Sequence, residues 1–393
     1  MQHRVPAVFM RGGTSRAICF REDDLADYDG PTRERIILAA LGSPDMHGRQ
    51  VDGLGGGISS LSKVAIIGKS RRADSDVTFT FGQVDVRTPT IDWSSTCGNI
   101  SAAVGPFAVD EGLVPALEPL TRVRVLATNT GKRYIAQVPV CDGQAEVEGA
   151  YTIDGVPAPG ACIRLEYLEP GGSLGGGLLP TGRPRQELGL SDGRRVSVSV
   201  VDAAIPTIFV RAEEVGADVR RLAPELDGDQ SLQARLEDIR CRGAVLLGLA
   251  ASPEDAHTKS PAAPKIALVA PPVRYRTSGG QDIKVGRMDV LARAISMGNT
   301  HRTFPATVSM CTAVAAAVDG TVVHQVSQVA SAGRLRIGHP AGVMELGAEV
   351  QCCGSEWRAE RIITQRTARR IMEGSVLVPQ RYVNGTPWFA DKE

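Results

Sequence analysis

Short stretches that alternate apolar and polar positions recur along the chain and predict β-strands. Runs such as KVAIIG, DVTFTF, TRVRVLAT and RVSVSVVD are rich in β-branched residues and are separated by turn signals. Two further runs, 320–326 and 374–383, also fit strands. Helix patterns are fewer, at 33–42, directly after Cys97, and at 232–249, 281–298 and 303–318. Because strands outnumber helices and no regular β–α–β alternation appears, the pattern predicts an α+β fold.

Two helix-length segments resemble each other. The segments at 100–114 and 307–323 are apolar on nearly every face, and each contains an acid followed by Gly near its end. A helix that is apolar all round must be enclosed by protein, and the Gly is a helix-stop signal. We therefore predict two pseudo-symmetric domains, each a curved, mainly antiparallel sheet or barrel around one buried helix. Two unrelated core helices are the alternative.

The predicted boundaries follow from this repeat. The N-terminal half is expected to span 1–185, and the last strand, about 375–393, returns to it. The C-terminal half is expected to span 186–375, with its central helix at about 303–318.

Charge and composition limit the class of partner. Lys plus Arg equals Asp plus Glu at 44 each, without long like-charge runs, which argues against nucleic acid and anionic membranes as partners. No apolar run approaches the roughly 18 residues of a membrane span, and the first residues lack a signal-peptide core. Eight Cys in 393 residues then suggest reduced thiols in the cytoplasm. The His and Cys spacing predicts no metal site, so we expect a small-molecule partner.

Cys97 stands out among the thiols because it precedes a Gly, an Asn and the first apolar helix. Backbone N–H groups at a helix start lack internal partners and carry about half a positive charge, which stabilises a thiolate or a bound carboxylate. We expect Cys97 to act as an acid, base or nucleophile. The alternative is a thiol that only fills space in the core.

Lys63 is the second candidate, because it follows a Gly- and Ser-dense loop and opens an apolar strand. A solvated surface charge is the alternative. The GLGGG of this loop is not a dinucleotide fingerprint, since it lacks the GxGxxG spacing and leads into a strand. Ser59 and Ser60, in the same loop, are candidate ligands for a substrate.

Two other segments could complete a site. The Gly-rich loop 169–182, with Thr181 and Gly182 at its end, could close over a ligand or stay an exposed loop. Before the second apolar helix, the chain offers no Cys but several donors suited to an anion, among them Asn299, His301 and Arg302.

Many of these segments occur in the same order in a known family. MRGGTS, DGLGGGISSLSKVAI, the CGN turn, NTGK at 129–132, AIPTIFV, SMGNTH and GHPAG resemble the PrpF family of methylaconitate and methylitaconate isomerases and 4-oxalomesaconate tautomerases. The resemblance implies a diaminopimelate-epimerase-like fold with the active site between the starts of two central helices. It places the catalytic pair on Lys63 and Cys97, and the pocket lining on Thr14, Ser15, Gly98 and Asn99.

The function implied is a cofactor-independent 1,3-allylic proton shift in an unsaturated di- or tricarboxylate such as methylaconitate or aconitate. SMGNTHRTFP differs from the corresponding segment of oxalomesaconate tautomerases, which favours the aconitate-like branch; a tautomerase is the first alternative. A carboxylate-binding accessory protein and an epimerase of a saturated acid are the others. The sequence does not decide which of Lys63 and Cys97 is the base, and it leaves a homodimer open.

Overall fold

A computed structural model describes residues 1–93, 96–260, 263–296, 298–328, 333–354 and 356–385. The strands in chain order are β1 Gln2–Gly12, β2 Ser15–Arg21, β3 Lys63–Lys69, β4 Val77–Val84, β5 Ile91–Asp92, β6 Leu120–Ala127, β7 Lys132–Cys141, β8 Gln144–Ala145, β9 Ile163–Leu168, β10 Gln186–Gly189, β11 Arg195–Ala203, β12 Ile205–Arg211, β13 Lys265–Ala270, β14 Tyr275–Arg276, β15 Asp282–Ile283, β16 Val290–Ser296, β17 Asn299–Thr300, β18 Arg334–His339, β19 Gly342–Cys353, β20 Glu356–Arg366 and β21 Ala368–Pro379. The helices are α1 Gly30–Leu41, α2 Ser101–Asp110, α3 Ala223–Asp227, α4 Gln230–Leu246, α5 Pro253–Lys259, α6 Ala306–Ala317, α7 Val322–Val326 and α8 Gln380–Val383.

The chain divides into two compact units. Unit 1 comprises residues 1–166 and the chain from 365 onward, and unit 2 comprises 167–364. The sequence analysis placed the end of the first half at 185 and the return of the chain to it at about 375. The tertiary contacts divide the chain earlier at both points. Residues 386–393 of the expected last strand lie outside the described residues.

Unit 1 is built on the strand order β21, β1, β2, β3, β4, β6, β7. The pairs β2/β3 and β4/β6 are parallel, and the other neighbours are antiparallel. Helix α1 covers one face of this sheet through Ile36 and Ile37. The sequence accounts for both ends of this helix. At its start the Asp29 side chain accepts a hydrogen bond from the Thr32 N–H at 2.8 Å, and at its end Gly42 adopts the left-handed conformation that terminates a helix.

The buried helix α2 belongs to unit 1. All of its residues except Asp110 are buried. A Cβ on Gly105 would lie 2.6 Å from Val138 of β7, so the helix backbone packs directly against that strand. The side chain of Tyr134, also on β7, donates to the Ser101 carbonyl at 3.2 Å, which fixes the start of the helix.

Unit 2 repeats the same pairing sequence. From β11 through β12, β13, β16 and β18 to β19 the neighbours alternate antiparallel and parallel, as they do from β1 through β2, β3, β4 and β6 to β7. The buried helix α6 precedes β18 as α2 precedes β6. Strand β13 is therefore the counterpart of β3. The shared topology confirms the predicted pseudo-symmetric halves.

Three element predictions were wrong. The run 281–298 contains β15, a short 3₁₀ turn and β16, because β16 lies between β13 and β18 and its residues 290–295 are buried on both faces. The run 320–326 contains α7, whose start is capped by Thr321, the side chain of which accepts from the His324 N–H. The run 374–383 is a strand only as far as Pro379, and its remaining residues form α8. Among the described residues, no helix has the length and apolar character to cross a bilayer.

Candidate active site

The first element of the candidate site is the contact between the MRGGTS loop and the CGN turn. A Cβ on Gly12 would lie 2.6 Å from the Asn99 carbonyl oxygen, and one on Gly13 would lie under 3.0 Å from the Asn99 side chain. Gly13 also has a φ of +51°, which a residue with a Cβ rarely adopts. The Asn99 amide donates to the Thr14 hydroxyl at 3.1 Å. Both glycines are therefore required for the loop to approach the turn.

Cys97 stands at the entry to helix α2. Its carbonyl accepts from both the N–H and the hydroxyl of Ser101, each at 2.9 Å, so it is the first acceptor of the helical ladder. Its side chain is only half-buried. By contrast, complete burial raises the pKa of Cys19 and of Cys311 to about 12. Those two thiols are inert, whereas Cys97 has a partly open position at a helix start.

Lys63 is the first residue of β3 and is 7% exposed. Its ammonium donates to the side-chain carbonyl of Gln83, directly across on β4, and lies 5.2 Å from the centre of the Phe81 ring. Among the residues that the structure describes, no carboxylate pairs with it. The interpretation of Lys63 as a solvated surface charge is therefore wrong.

The glycine-rich loop that leads to Lys63 is held from inside by Gln50. The buried Gln50 amide donates to Ser43 and Ser62 hydroxyls at 2.7 Å, and its oxygen accepts from the Gly57 N–H at 2.9 Å. Ser59 and Ser60 form the 3₁₀ turn just before Lys63, the first exposed and the second half-buried. Sequence reasoning missed Gln50, because a single Gln before a glycine-rich run gives no pattern.

The register brings these pieces to one end of unit 1. Strands β2 and β3 are parallel, with Ile18 beside Val64, so both strands begin at the same end of the sheet. Ser15, buried at the start of β2, and Lys63, at the start of β3, therefore share that end. The bond from Asn99 to Thr14 brings the turn containing Cys97 and Gly98 to the same end.

Asn129, from the NTGK segment, is a positioning residue that sequence reasoning did not assign. Its side chain exchanges two hydrogen bonds with the backbone of Phe81, at 2.8 and 2.9 Å, and donates to the Trp93 carbonyl at 2.7 Å. It thereby ties β4 to the segment that runs toward Cys97.

The other predicted residues lie in unit 2. Thr181 is half-buried and Gly182 is exposed with a φ of +68°, in the turn that closes the Gly-rich loop. Asn299, His301 and Arg302 lie on the approach to α6. Of these, Arg302 and Asn299 are exposed, while His301 is half-buried and accepts from the backbone and hydroxyl of Thr303.

The environment of His301 favours a neutral imidazole. Burial lowers its pKa, and the charge of Lys265 lowers it further. Lys265 is the first residue of β13, the counterpart of Lys63 on β3, and burial lowers its pKa as well. The counterpart of Cys97 is Pro305, whose carbonyl is the first acceptor of α6, from Ser309. Unit 2 thus repeats the lysine but not the thiol, and the sequence analysis overlooked this second lysine.

Within the described ranges, one cluster could offer three ligands to a metal: Glu237, Cys241 and His257. Both oxygens of the Glu237 carboxylate already accept from the Arg240 guanidinium, at 2.7 and 2.8 Å. Arg240 also lies 3.3 Å from the Cys241 sulfur. Because the positively charged Arg240 guanidinium already lies among these ligand atoms, the cluster is an ion-pair network between α4 and α5.

Comparison with known proteins gives relatives that match nearly the whole chain. The chain is 42% identical over 379 residues to a 3-methylitaconate isomerase of Eubacterium barkeri, covering 96% of this chain and 98% of that one. It is 38% identical over 388 residues to a 2-methyl-aconitate isomerase of Cupriavidus necator, with the same coverage. A crystal structure of a methylitaconate-delta-isomerase superposes with a TM-score of 0.89 at 41% identity, covering 100% of both chains. This structural match confirms the predicted diaminopimelate-epimerase-like fold. Because the PrpF protein family matches residues 2–379, the chain belongs to the PrpF family.

Proposed function

We propose that the protein is a cofactor-independent isomerase that moves a carbon–carbon double bond in an unsaturated di- or tricarboxylate. The observation that carries the proposal is the buried Lys63, which has a neutral partner and shares one end of the sheet with the CGN turn. The relatives at 38% and 42% identity, named as methylaconitate and methylitaconate isomerases, support the same reaction class.

The reaction is a 1,3 proton shift that needs no net oxidation. A base removes a proton from the carbon γ to a carboxylate, and the C–H electron pair forms a new double bond between the β and γ carbons. The former double bond supplies its electrons to the α carbon and its carboxylate, and a proton then bonds to the α carbon. Backbone N–H groups at a helix start stabilise the charge that develops on the carboxylate, an effect worth several kcal/mol in comparable sites.

Lys63 and Cys97 are the two proton-transfer groups in this proposal. A shift on one face of the substrate lets Lys63 remove and return the proton while Cys97 assists. A shift across two faces needs both groups as acid and base. Either route fits a partly open thiol at a helix start and a buried amine.

The remaining predicted residues act in this proposal as substrate ligands. Thr14, Ser15, Gly98 and Asn99, with Ser59 and Ser60, are hydroxyl, amide and backbone donors at the same end of unit 1 as Lys63. In unit 2, a second set is proposed to bind a further carboxylate: Thr181, Gly182, Asn299, His301 and Arg302. Arg302→Ala should then raise KM more than it lowers kcat, because a bidentate contact between a guanidinium and a substrate carboxylate contributes to substrate binding.

The test uses proton exchange followed by NMR in deuterated water with methylaconitate, methylitaconate, aconitate and oxalomesaconate. Wild-type protein should incorporate deuterium at the α or γ carbon of at least one of the first three. Lys63→Met and Cys97→Ser should abolish or strongly slow exchange. Lys69→Met, at the exposed other end of β3, and Cys141→Ser, an exposed thiol, are matched controls that should exchange normally.

Full exchange by both site variants would remove Lys63 and Cys97 from the mechanism. Preference for oxalomesaconate would identify a tautomerase instead. Exchange only at a saturated α carbon would identify an epimerase. Substrate binding without any exchange would indicate a carboxylate-binding accessory protein.

A further inference from the structure

The side chain of Gln83 is held in one orientation by its neighbours. Its amide nitrogen donates to the carbonyl oxygens of Ser59 and Ser62, at 3.0 and 2.9 Å. Carbonyl oxygens can only accept, so the NH₂ group must face them and the amide oxygen must face the other way. The oxygen is consequently directed at the Lys63 ammonium, to which it is hydrogen-bonded.

This arrangement gives a buried lysine a partner without charge. Burial of a cation is ordinarily compensated by a carboxylate, because an isolated charge is costly to remove from water. The described contacts of the Lys63 ammonium are the Gln83 oxygen and the Phe81 ring, and neither carries a negative charge. A carboxylate at this position would hold the Lys63 proton more tightly and oppose its transfer to and from substrate.

We infer that Gln83 is a positioning residue of the isomerase: it aims the Lys63 amine while leaving its proton free to transfer. The inference rests on the proposed function. It also explains why Gln83 bridges two elements, since its amide joins β4 to the turn that precedes Lys63. Movement of that turn is thereby coupled to the direction of the amine.

Two variants test separately whether Gln83 orients the Lys63 amine and whether the charge of its side chain would change the proton affinity of that amine. Gln83→Leu shortens the side chain by one atom and removes both the acceptor for Lys63 and the amide donor that holds it, so kcat should fall about 10- to 100-fold while KM changes less than threefold. Gln83→Glu places a carboxylate beside the ammonium and should move the acidic limb of the pH–rate profile upward by about 1 to 3 pH units. Gln144→Glu, an exposed Gln exchanged on β8 of the same unit, is a control that should leave the pH profile in place.

A second readout needs no turnover. The chain has seven lysines, so labelling of lysine Cε with ¹³C gives few NMR signals, and Lys63→Met identifies the one from Lys63. In the Gln83→Glu variant, the Lys63 signal should titrate at least 1 pH unit higher than it does in the wild-type protein. Gln83→Leu and Gln83→Glu are first checked by circular dichroism for the wild-type fold.

The two readouts distinguish the possible failures. An unchanged Lys63 titration in a folded Gln83→Glu protein would overturn the role of Gln83, whatever the activity. A shifted titration in a protein that exchanges no protons in any candidate acid would leave the Gln83 contact established and overturn the isomerase. Equal losses of kcat in Gln83→Leu and in the Gln144→Glu control would indicate general destabilisation and would also refute the positioning role.

Discussion

Gly13 offers the sharpest test of how the MRGGTS loop supports the candidate site. In Gly13→Ala the new methyl group meets two penalties. Alanine at a φ of +51° costs about 1 to 2 kcal/mol in backbone strain. The methyl group must also displace the Asn99 amide, which breaks its bond to Thr14 and forfeits about 0.5 to 1.5 kcal/mol.

Gly143 supplies a matched control, because its φ of +75° is also left-handed and a Cβ there would meet nothing within 4 Å. Gly143→Ala should lose about 1 to 2 kcal/mol of stability and keep its activity. Gly13→Ala should lose about 1.5 to 3.5 kcal/mol and shift the CGN turn, and a shift of about 1 Å in such a site costs on the order of 100-fold in rate.

The measurements are kcat/KM in the deuterium-exchange assay and the free energy of unfolding from urea titration. Equal kcat/KM for Gly13→Ala and Gly143→Ala would refute the reasoning, because it would mean that the contact with Asn99 does not position the turn. If Gly13→Ala were less stable than Gly143→Ala but had the same kcat/KM, the role of Gly13 would be structural only.

Three other outcomes are expected. Iodoacetamide should modify the half-buried Cys97 and leave the fully buried Cys311 unmodified in the native protein, as peptide mass spectrometry will reveal. Asn129→Ala should lower kcat/KM by about tenfold or more through loss of its bond to Trp93, and a rate within twofold of wild type would contradict this role. For Glu237, partial burial opposes the charged form, but hydrogen bonds from Arg240 and His257 outweigh it and lower the pKa to about 2. Because the folded pKa lies below the unfolded value of about 4.3, this stabilisation is present above pH 4.3 and is lost as pH falls toward 2. The difference in melting temperature between wild type and Glu237→Gln should shrink across that window.

Sequence patterns located the elements that depend on local chemistry. Helix α2 and its partner α6 could be predicted because an all-apolar run followed by an acid and Gly has few other interpretations. The strand β16 could not, since its apolar residues fit a helix equally well until neighbours on both sides bury them. Helix α7 was mistaken for a strand because β-branched residues dominate it, and its cap at Thr321 gives only a weak signal.

The candidate site shows the same division. Lys63 and the CGN turn could be predicted, because their Gly-rich surroundings interrupt the strand pattern. Gln50, Gln83 and Asn129 could not, since each acts through side-chain hydrogen bonds to residues that only the folded chain brings close to it. Lys265 became recognisable only when the strand order made β13 the counterpart of β3.

The pairing of β1 with β21, from Gln2 opposite Pro379 to Gly12 opposite Ala368, has a consequence for biosynthesis. A ribosome delivers β1 before the whole of unit 2, and its partner strand β21 only after unit 2. Unit 2 can therefore finish folding while one edge of β1 in unit 1 is still unpaired. Until β21 is made, that unpaired edge is a template on which another chain could pair.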